Sequence, residues 1–182
     1  MIHIARYIIS EITDKDIDLN YSYKHNINDY HVRRAARGIL VKDGKIALLH
    51  VTKRNYHKLP GGGIENNETN EEAFKREVLE ETGYDCIVKD EQDQNSVTLE
   101  TRDELKEFQI SYVFFAEATG EQKEVNYTDE ESENGFQLRW IPLAEVESVL
   151  NNDNPSDYEG KFIQRRDKAI IEFYKIHTFK QS

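Results

Sequence analysis

The chain has little of the chemistry that secreted and membrane-bound proteins use. Its single cysteine, Cys86, excludes an intrachain disulfide, which favours a reducing compartment. No apolar run approaches the roughly 20 residues of a membrane span, and the first residues lack the features of a secretory signal. We therefore expect a cytoplasmic protein that has no membrane partner.

Positive charge is also scarce. The 24 Lys and Arg residues face 35 Asp and Glu residues, so the formal net charge is −11. Stable binding to nucleic acid needs a basic surface, and we do not expect it here. A small nucleotide substrate stays compatible with this acidity, because a bound cation reverses the local field. With ten Tyr and eight Phe, the 182 residues are expected to fold as a single domain, 1–182.

The first half of the chain contains a hairpin signal followed by a run of glycines. Two apolar runs, Ala35–Val41 and Lys45–Val51, flank an Asp-Gly pair that suits a tight turn. A polar, basic loop is expected at 52–58. The glycines at 61–63 predict an irregular backbone that can approach a metal or a phosphate closely.

The remaining elements alternate between strand and helix patterns. Residues 1–30 are expected to form an N-terminal extension with a strand at 4–12. This extension either covers a sheet edge, or it mediates dimerisation or shapes the substrate pocket. Strands are expected at 86–89, 96–101, 107–119 and 136–141, a long loop at 120–135, and helices at 143–150 and 161–176. This order predicts an α/β sandwich with a mixed β-sheet.

The clearest helix lies between these strands, at Asn70–Thr82. Thr69 and Glu72 have the spacing of a capping box at its start, and Gly83 suits its end. Glu77 and its neighbours three and four positions on, Glu80 and Glu81, would share one face. Three carboxylates so close are costly to ionise without a cation, and Mg²⁺ prefers such oxygen ligands.

This stretch resembles the signature of a known family, the Nudix hydrolases. The matching residues are Gly62, Glu68, Arg76, Glu77, Val78, Glu80, Glu81, Gly83 and Tyr84, where Tyr84 replaces the usual aliphatic residue. The resemblance implies a Nudix box at 62–84 in a Nudix-type α/β/α sandwich. It also implies that Glu77, Glu81 and Glu80 bind the metal, with the Gly61 carbonyl as a further ligand. Arg76 would then orient a box glutamate, and Glu68 would brace the box.

Further residues are candidates for the reaction around this helix. The family uses a general base that is either a box glutamate or a glutamate on a loop before the closing strand. We expect Glu133 in that role, followed by Glu131. Basic residues precede both the hairpin (Arg33, Arg34, Arg37) and the glycines (Lys53, Arg54, Lys58). We expect Arg54 and Lys58 to bind the substrate phosphates, because they are nearest to the box in sequence.

The resemblance implies a hydrolase that uses Mg²⁺, or Mn²⁺ in its place, to cleave the pyrophosphate bond of a nucleoside diphosphate linked to another group. A nucleoside triphosphate or an oxidised nucleotide is the favoured substrate, and ADP-ribose or a nucleotide sugar is the next. The alternative is a Nudix-fold sensor that binds a nucleotide without cleaving it. A homodimer stays open at this stage.

Overall fold

The computed structural model describes residues 7–22, 25–89 and 96–179. The strands are β1 (Tyr7–Thr13), β2 (His31–Lys42), β3 (Lys45–Val51), β4 (Tyr56–Lys58), β5 (Gly61–Gly63), β6 (Asp85–Val88), β7 (Ser96–Arg102), β8 (Glu107–Thr119) and β9 (Phe136–Pro142). The helices are α1 (Asp14–Ile17), α2 (Asn70–Thr82), α3 (Asp129–Glu133), α4 (Leu143–Asn152) and α5 (Tyr158–Phe179).

The described strands form one mixed sheet in the order β1-β7-β8-β2-β3-β4. In addition, β5 pairs with β2, β6 with β8, and β9 with β3. The pairs β1–β7 and β2–β8 are parallel and the others are antiparallel. The expected mixed β-sheet is therefore confirmed.

Successive residues of a strand point to opposite faces, and β2 supplies both cores of the molecule. Ile39 packs with side chains of α4 and α5 such as Leu150 and Ile170. Leu40, the next residue, packs with α2 through Phe74 and its neighbours. Helices therefore cover both faces of the sheet, which is the predicted α/β/α sandwich.

The ends of α2 follow the predicted chemistry. Thr69 Oγ1 accepts a hydrogen bond from the Glu72 amide, and the Glu72 carboxylate accepts one from the Thr69 amide, at 3.2 and 2.7 Å. Gly83 closes the helix at φ 75°, in the left-handed region that glycine tolerates. The hairpin turn is also as expected, since Asp43 and Gly44 both have positive φ. The predicted ends of α2 and the predicted β2–β3 turn are therefore confirmed.

Other predictions about the elements need correction. Gly61–Gly63 is a strand, not an irregular segment, because its backbone pairs with β2. The expected loop at 52–58 ends in β4, and the one at 120–135 contains α3. The last helix, expected at 161–176, begins three residues earlier at Tyr158, whose ring packs 5.2 Å from that of Phe162.

The described strand of the N-terminal extension, β1, lies at the edge of the sheet, which agrees with the first of the two alternatives. β1 runs parallel to β7 from Tyr7 to Thr13, whereas the start of the expected strand, 4–6, lies outside the described residues. In the described part of the chain, every helix is too short or too polar to cross a membrane.

Candidate active site

The glycine strand β5 brings its backbone against the carboxylates of α2. Gly61 pairs with Arg37 of β2 and has φ +138°, a conformation that other residues rarely adopt. A Cβ atom on Gly62 would lie only 2.4 Å from Glu77 Oε1. Gly62 is therefore required for the strand to lie this close to α2. Gly61 is required for its close approach to β2, where a Cβ atom would lie 2.4 Å from the Ala36 carbonyl oxygen.

Arg76 is the centre of a hydrogen-bond network that holds the acidic side chains in place. Its guanidinium donates to both carboxylate oxygens of Glu68, at 2.8 and 3.1 Å, and to Glu77 Oε1 at 2.9 Å. It also reaches Glu80 Oε2 at 3.1 Å and the Gly63 carbonyl at 3.0 Å. These partners raise the pKa of Arg76 and keep it charged. The helix, the preceding loop and the glycine strand are thus joined through one side chain.

Glu81 is the most deeply buried acid of the site. Only 1% of its surface is exposed; its Oε1 accepts from Lys58 Nζ at 2.7 Å and its Oε2 from the Gly61 amide at 2.8 Å. Burial raises its pKa to about 7, although Lys58 opposes the shift. Burial also raises the pKa of Glu77. Carboxylates with raised pKa values at a cavity are typical of functional sites.

The residues present fit a hard divalent cation. Lys58 Nζ lies 2.7 Å from Glu81 Oε1 and 3.2 Å from the Gly61 carbonyl, so a positive charge already sits between two of the predicted ligands. The donors are all oxygens, as Mg²⁺ prefers. No group of three His, Cys, Asp or Glu side chains among the described residues is arranged to hold a metal. The expectation that Glu77, Glu80 and Glu81 meet at one point therefore needs correction. Glu77 and Glu80 share the donor Arg76 Nη1, whereas Glu81 accepts from Lys58 and the Gly61 amide.

A cavity of about 500 Å³ opens beside these groups, within the usual size of a ligand pocket. Seven of the predicted site residues line it: Arg54, Lys58, Gly61, Arg76, Glu77, Glu80 and Glu81. The sequence prediction therefore located one connected site, built from β4, β5, α2 and the turn before β4.

The predicted base, Glu133, is not part of this site. It is exposed at the end of α3 and does not line the cavity, whereas Glu130 and Glu131 do. Glu133 is the last residue of α3, and the chain leaves the helix at Asn134 directly after it. The Glu131 carboxylate accepts from the Thr128 amide at 2.8 Å and so caps α3.

Arg54 connects the α3 segment to the cavity. Its Nε donates to Asn134 Oδ1 at 2.9 Å, and its guanidinium lies 4.0 Å from Glu130 and 3.8 Å from Asp157. The side chain is about one-third exposed. It is thus placed at the cavity wall with room for a further partner.

Sequence reasoning missed most of the residues at the inner end of the cavity. Arg102, Gln109 and Arg166 line it there, and Tyr127 lines it near α3. Arg37 was one of six basic candidates but was ranked below Arg54 and Lys58. Glu100 and Arg102 are two positions apart on a strand, so their opposite charges share one face of the sheet. Such a pair was a signal that could have revealed part of this group.

Taken together, an acidic helix braced by arginine, a glycine strand and a cavity between sheet and helices define a hydrolase of the pyrophosphatase kind. The sequence model of the NUDIX domain matches residues 32–163, more than half of the chain. The chain therefore belongs to the Nudix hydrolase family.

Solved structures share the fold at low sequence identity. A hydrolase of the NUDIX family from Clostridium perfringens is 19% identical with a TM-score of 0.53, over 78% of this chain and 97% of that chain. A UDP-X diphosphatase is 19% identical with a TM-score of 0.56, over 90% of this chain and 70% of that one. A NUDIX hydrolase from Nitrosomonas europaea is 15% identical with a TM-score of 0.53, over 75% and 89%. No curated protein matches the chain.

Proposed function

We propose that this protein hydrolyses the pyrophosphate bond of a nucleoside diphosphate linked to another group, with Mg²⁺ as the cofactor and Mn²⁺ as a substitute. The favoured substrate is a nucleoside triphosphate or an oxidised nucleotide; ADP-ribose and nucleotide sugars come next. One observation carries the proposal. The buried carboxylate of Glu81 is held between an ammonium group and a backbone amide, beside Glu77 and at the wall of a cavity of nucleotide size.

The cation would be held by Glu77, Glu81 and the Gly61 carbonyl. When bound, it neutralises the diphosphate and makes the phosphorus more electrophilic. Arg76 keeps Glu77 oriented through its hydrogen bond of 2.9 Å. A fixed carboxylate needs no reorganisation during the reaction, which lowers the barrier.

Lys58 and Arg54, which both line the cavity, would bind the substrate phosphates. Lys58 reaches both Glu81 and the Gly61 carbonyl, so a short movement of its flexible stem brings the ammonium to a phosphate oxygen. Arg54 can present its planar guanidinium to the phosphate while it keeps its hydrogen bond to Asn134.

For the proton acceptor we propose Glu80 in place of Glu133. Glu80 lines the cavity, its side chain is 36% exposed, and Arg76 fixes its position. In the reaction a water oxygen bonds to one phosphorus as the bridging phosphorus–oxygen bond breaks. The water proton passes to the Glu80 carboxylate.

The test is a hydrolysis screen with purified protein. Nucleoside triphosphates, an oxidised triphosphate, ADP-ribose and UDP-sugars are incubated with Mg²⁺, with Mn²⁺ or with a chelator. Released phosphate, pyrophosphate and nucleoside monophosphate are then separated and quantified. We expect turnover of at least one substrate that disappears with the chelator.

A matched pair of variants controls for contaminating enzymes. Glu81→Gln should lose the activity, whereas Glu133→Gln should keep it. Tight nucleotide binding without any product would favour the sensor alternative, and full activity in Glu81→Gln would overturn the assignment of the site.

A further inference from the structure

The inner end of the cavity is lined by arginines from three different elements. Arg37 lies on β2, Arg102 on β7 and Arg166 on α5, and 4%, 2% and 1% of their respective surfaces are exposed. A concentration of buried guanidinium groups at a cavity wall is unusual, because charged side chains are rarely buried without partners.

Two of these arginines are neutralised by carboxylates. Arg102 donates to Glu100 at 2.9 Å and to Glu107 at 3.3 Å. Arg166 donates to Asp167 at 2.7 Å and lies 3.6 Å from Glu100. Even so, Arg102 Nε and Arg166 Nη2 are buried without a hydrogen-bond partner among the described residues. The carboxylates therefore neutralise the charge of these two arginines, but one nitrogen of each guanidinium group still has no hydrogen-bond acceptor in the described part of the chain.

Arg37 differs from them because it lacks a carboxylate partner within 4.0 Å in the described part of the chain. Its side chain makes one hydrogen bond, from Nε to Ser111 Oγ at 3.0 Å. Burial lowers the pKa of Arg37 to about 9, and the nearby Arg166 adds to the shift. Such a residue costs folding stability, and a function in ligand binding explains its presence.

Arg37 is also directly connected to the reacting end of the cavity. It pairs with Gly61 in the β2–β5 ladder, and a Cβ atom on Gly61 would lie 2.4 Å from Arg37 Cβ. The Gly61 amide is bound to Glu81. One ligand can therefore place its pyrophosphate at the acidic helix and an adjacent group at Arg37.

We propose that Arg37, supported by Arg102 and Arg166, binds an oxyanion of the substrate that lies beyond the cleaved pyrophosphate, either a phosphate or a carboxylate. The guanidinium group binds both by paired hydrogen bonds. This inference rests on the proposed function and narrows it. The preferred substrates carry a third anionic group, as in a nucleoside triphosphate or a nucleotide linked to a sugar acid.

Pairs of substrates that differ by one charge test this directly. UDP-glucuronate and UDP-glucose differ by one carboxylate, and a nucleoside triphosphate and its diphosphate differ by one phosphate. We expect kcat/KM to be at least roughly tenfold higher for one of the two anionic members, and that member identifies the source of the oxyanion. This advantage should disappear in Arg37→Met and return in part in Arg37→Lys. It should persist in Arg139→Met, which is a control at an exposed strand position. An advantage that persists in Arg37→Met would refute the proposal.

A second measurement does not depend on hydrolysis. The unfolding midpoint is recorded with increasing inorganic phosphate at constant ionic strength and without divalent metal. Phosphate should stabilise the wild type and Arg139→Met, and about tenfold more phosphate should be needed for the same shift in Arg37→Met. Without phosphate, Arg37→Met should be as stable as the wild type or more stable, because the carboxylates nearby keep their own arginines.

The two measurements separate failure of this inference from failure of the proposed function. If no substrate is hydrolysed but Arg37→Met alone loses the phosphate response, the anion subsite stands and the proposed reaction is wrong. If phosphate stabilises wild type and Arg37→Met equally, the inference is wrong. It is also wrong, and Arg37 is structural, if Arg37→Met unfolds at a much lower temperature and Arg37→Lys restores the unfolding temperature without restoring the phosphate response.

Discussion

Helices α2 and α3 have the same type of N-terminus and a similar excess of acid, but they occupy very different environments. Thr69 and Glu72 cap α2, and Thr128 and Glu131 cap α3, each by a reciprocal pair of hydrogen bonds. α2 buries five residues, including Glu81, whereas α3 buries none of its five. Acidity and capping therefore do not distinguish the two helices.

The neighbours of each helix make the difference. α2 lies against a glycine strand and contains Arg76, whose guanidinium holds three carboxylates. Lys58 from β4 meets Glu81 on its other side. Among the described residues, the cation that faces the acids of α3 is Arg54, at 4.0 Å from Glu130. A cluster of glutamates can act as a binding site when cationic side chains and backbone groups hold its carboxylates in place in a cavity.

Glu81→Gln is the strongest test of this contrast. The substitution keeps the shape of the side chain but removes the charge that would hold the cation. We expect kcat to fall by about 10³-fold or more, since charge stabilisation at the reacting phosphate depends on it. Steady-state kinetics with Mg²⁺ would measure this, and circular dichroism would verify the fold. Retention of more than a tenth of the activity would contradict the role given to α2.

The pH dependence of stability provides a second test, made without metal. The Glu81 carboxyl has a pKa of about 7 in the folded chain and 4.5 as its ordinary value. The folded state therefore binds the proton more tightly, so protonation stabilises the fold. This contribution is complete below about pH 4.5 and is lost as the pH rises through about 7.

The expected loss is about 3 kcal/mol in the free energy of unfolding between those limits. It is measured by urea unfolding in chelator at several pH values. Glu81→Gln, which cannot titrate, should show a flatter profile, and identical profiles would mean that Glu81 is not buried as described.

Lys58→Met tests the role of the Lys58 ammonium group, which lies beside Glu81 in the cavity. Removal of the ammonium leaves the Glu81 carboxylate and the Gly61 carbonyl to the metal alone. At pH 8 we expect Mn²⁺ to bind roughly tenfold more tightly, because a nearby positive charge no longer competes. Electron paramagnetic resonance measures free Mn²⁺ directly.

Lys75→Met is the control for this experiment. Lys75 pairs with Glu71 on the same helix at 2.6 Å but does not line the cavity. Its substitution should leave Mn²⁺ affinity unchanged. An unchanged affinity in Lys58→Met as well would show that the ammonium group does not compete with the metal.

The two capping threonines sharpen the comparison at the level of stability. Thr69→Ala should lower the free energy of unfolding by about 1 kcal/mol, the usual cost of a lost N-cap. Thr128→Ala should cost less than about 0.5 kcal/mol, because α3 is short and buries nothing. Chemical unfolding measures both. Equal costs would mean that α3 contributes to the global fold as much as α2 does.

The smallest effect is expected for Glu133→Gln. Glu133 is exposed and outside the cavity, so kcat should change by less than about twofold. Glu80→Gln, on α2, should reduce kcat by about 10²-fold or more, as removal of a general base does. A large loss in Glu133→Gln would return the base to α3 and reverse the assignment made from the structure.

The sequence was informative wherever the signal is local. The ends of α2, the Asp43-Gly44 turn and the contact partners along the box all depend on spacings of a few residues. The capping box of α3 has the same spacing as that of α2, so that helix could have been predicted. The exposure of Glu133 could not, because helical spacing alone places it on the same face as Glu130. That residues 1–182 form a single domain stays a prediction.

The remainder depends on contacts between distant parts of the chain. Gly61–Gly63 becomes a strand only because β2 is available to pair with it. Arg102 and Arg166 are 64 positions apart, and their joint contact with Glu100 arises only once α5 packs on the sheet. Composition and periodicity carry no information about such neighbours, which is why the inner end of the cavity was missed.

The last helix has a direct connection to the glycine strand. The Leu59 amide, two residues before Gly61, donates to Asp167 Oδ2 of α5 at 2.7 Å, and both groups are buried. During synthesis, the segment that shapes the catalytic face leaves the ribosome more than a hundred residues before this partner. On the ribosome, the residue that leads into the glycine strand is therefore expected to lack this buried hydrogen bond until α5 has emerged.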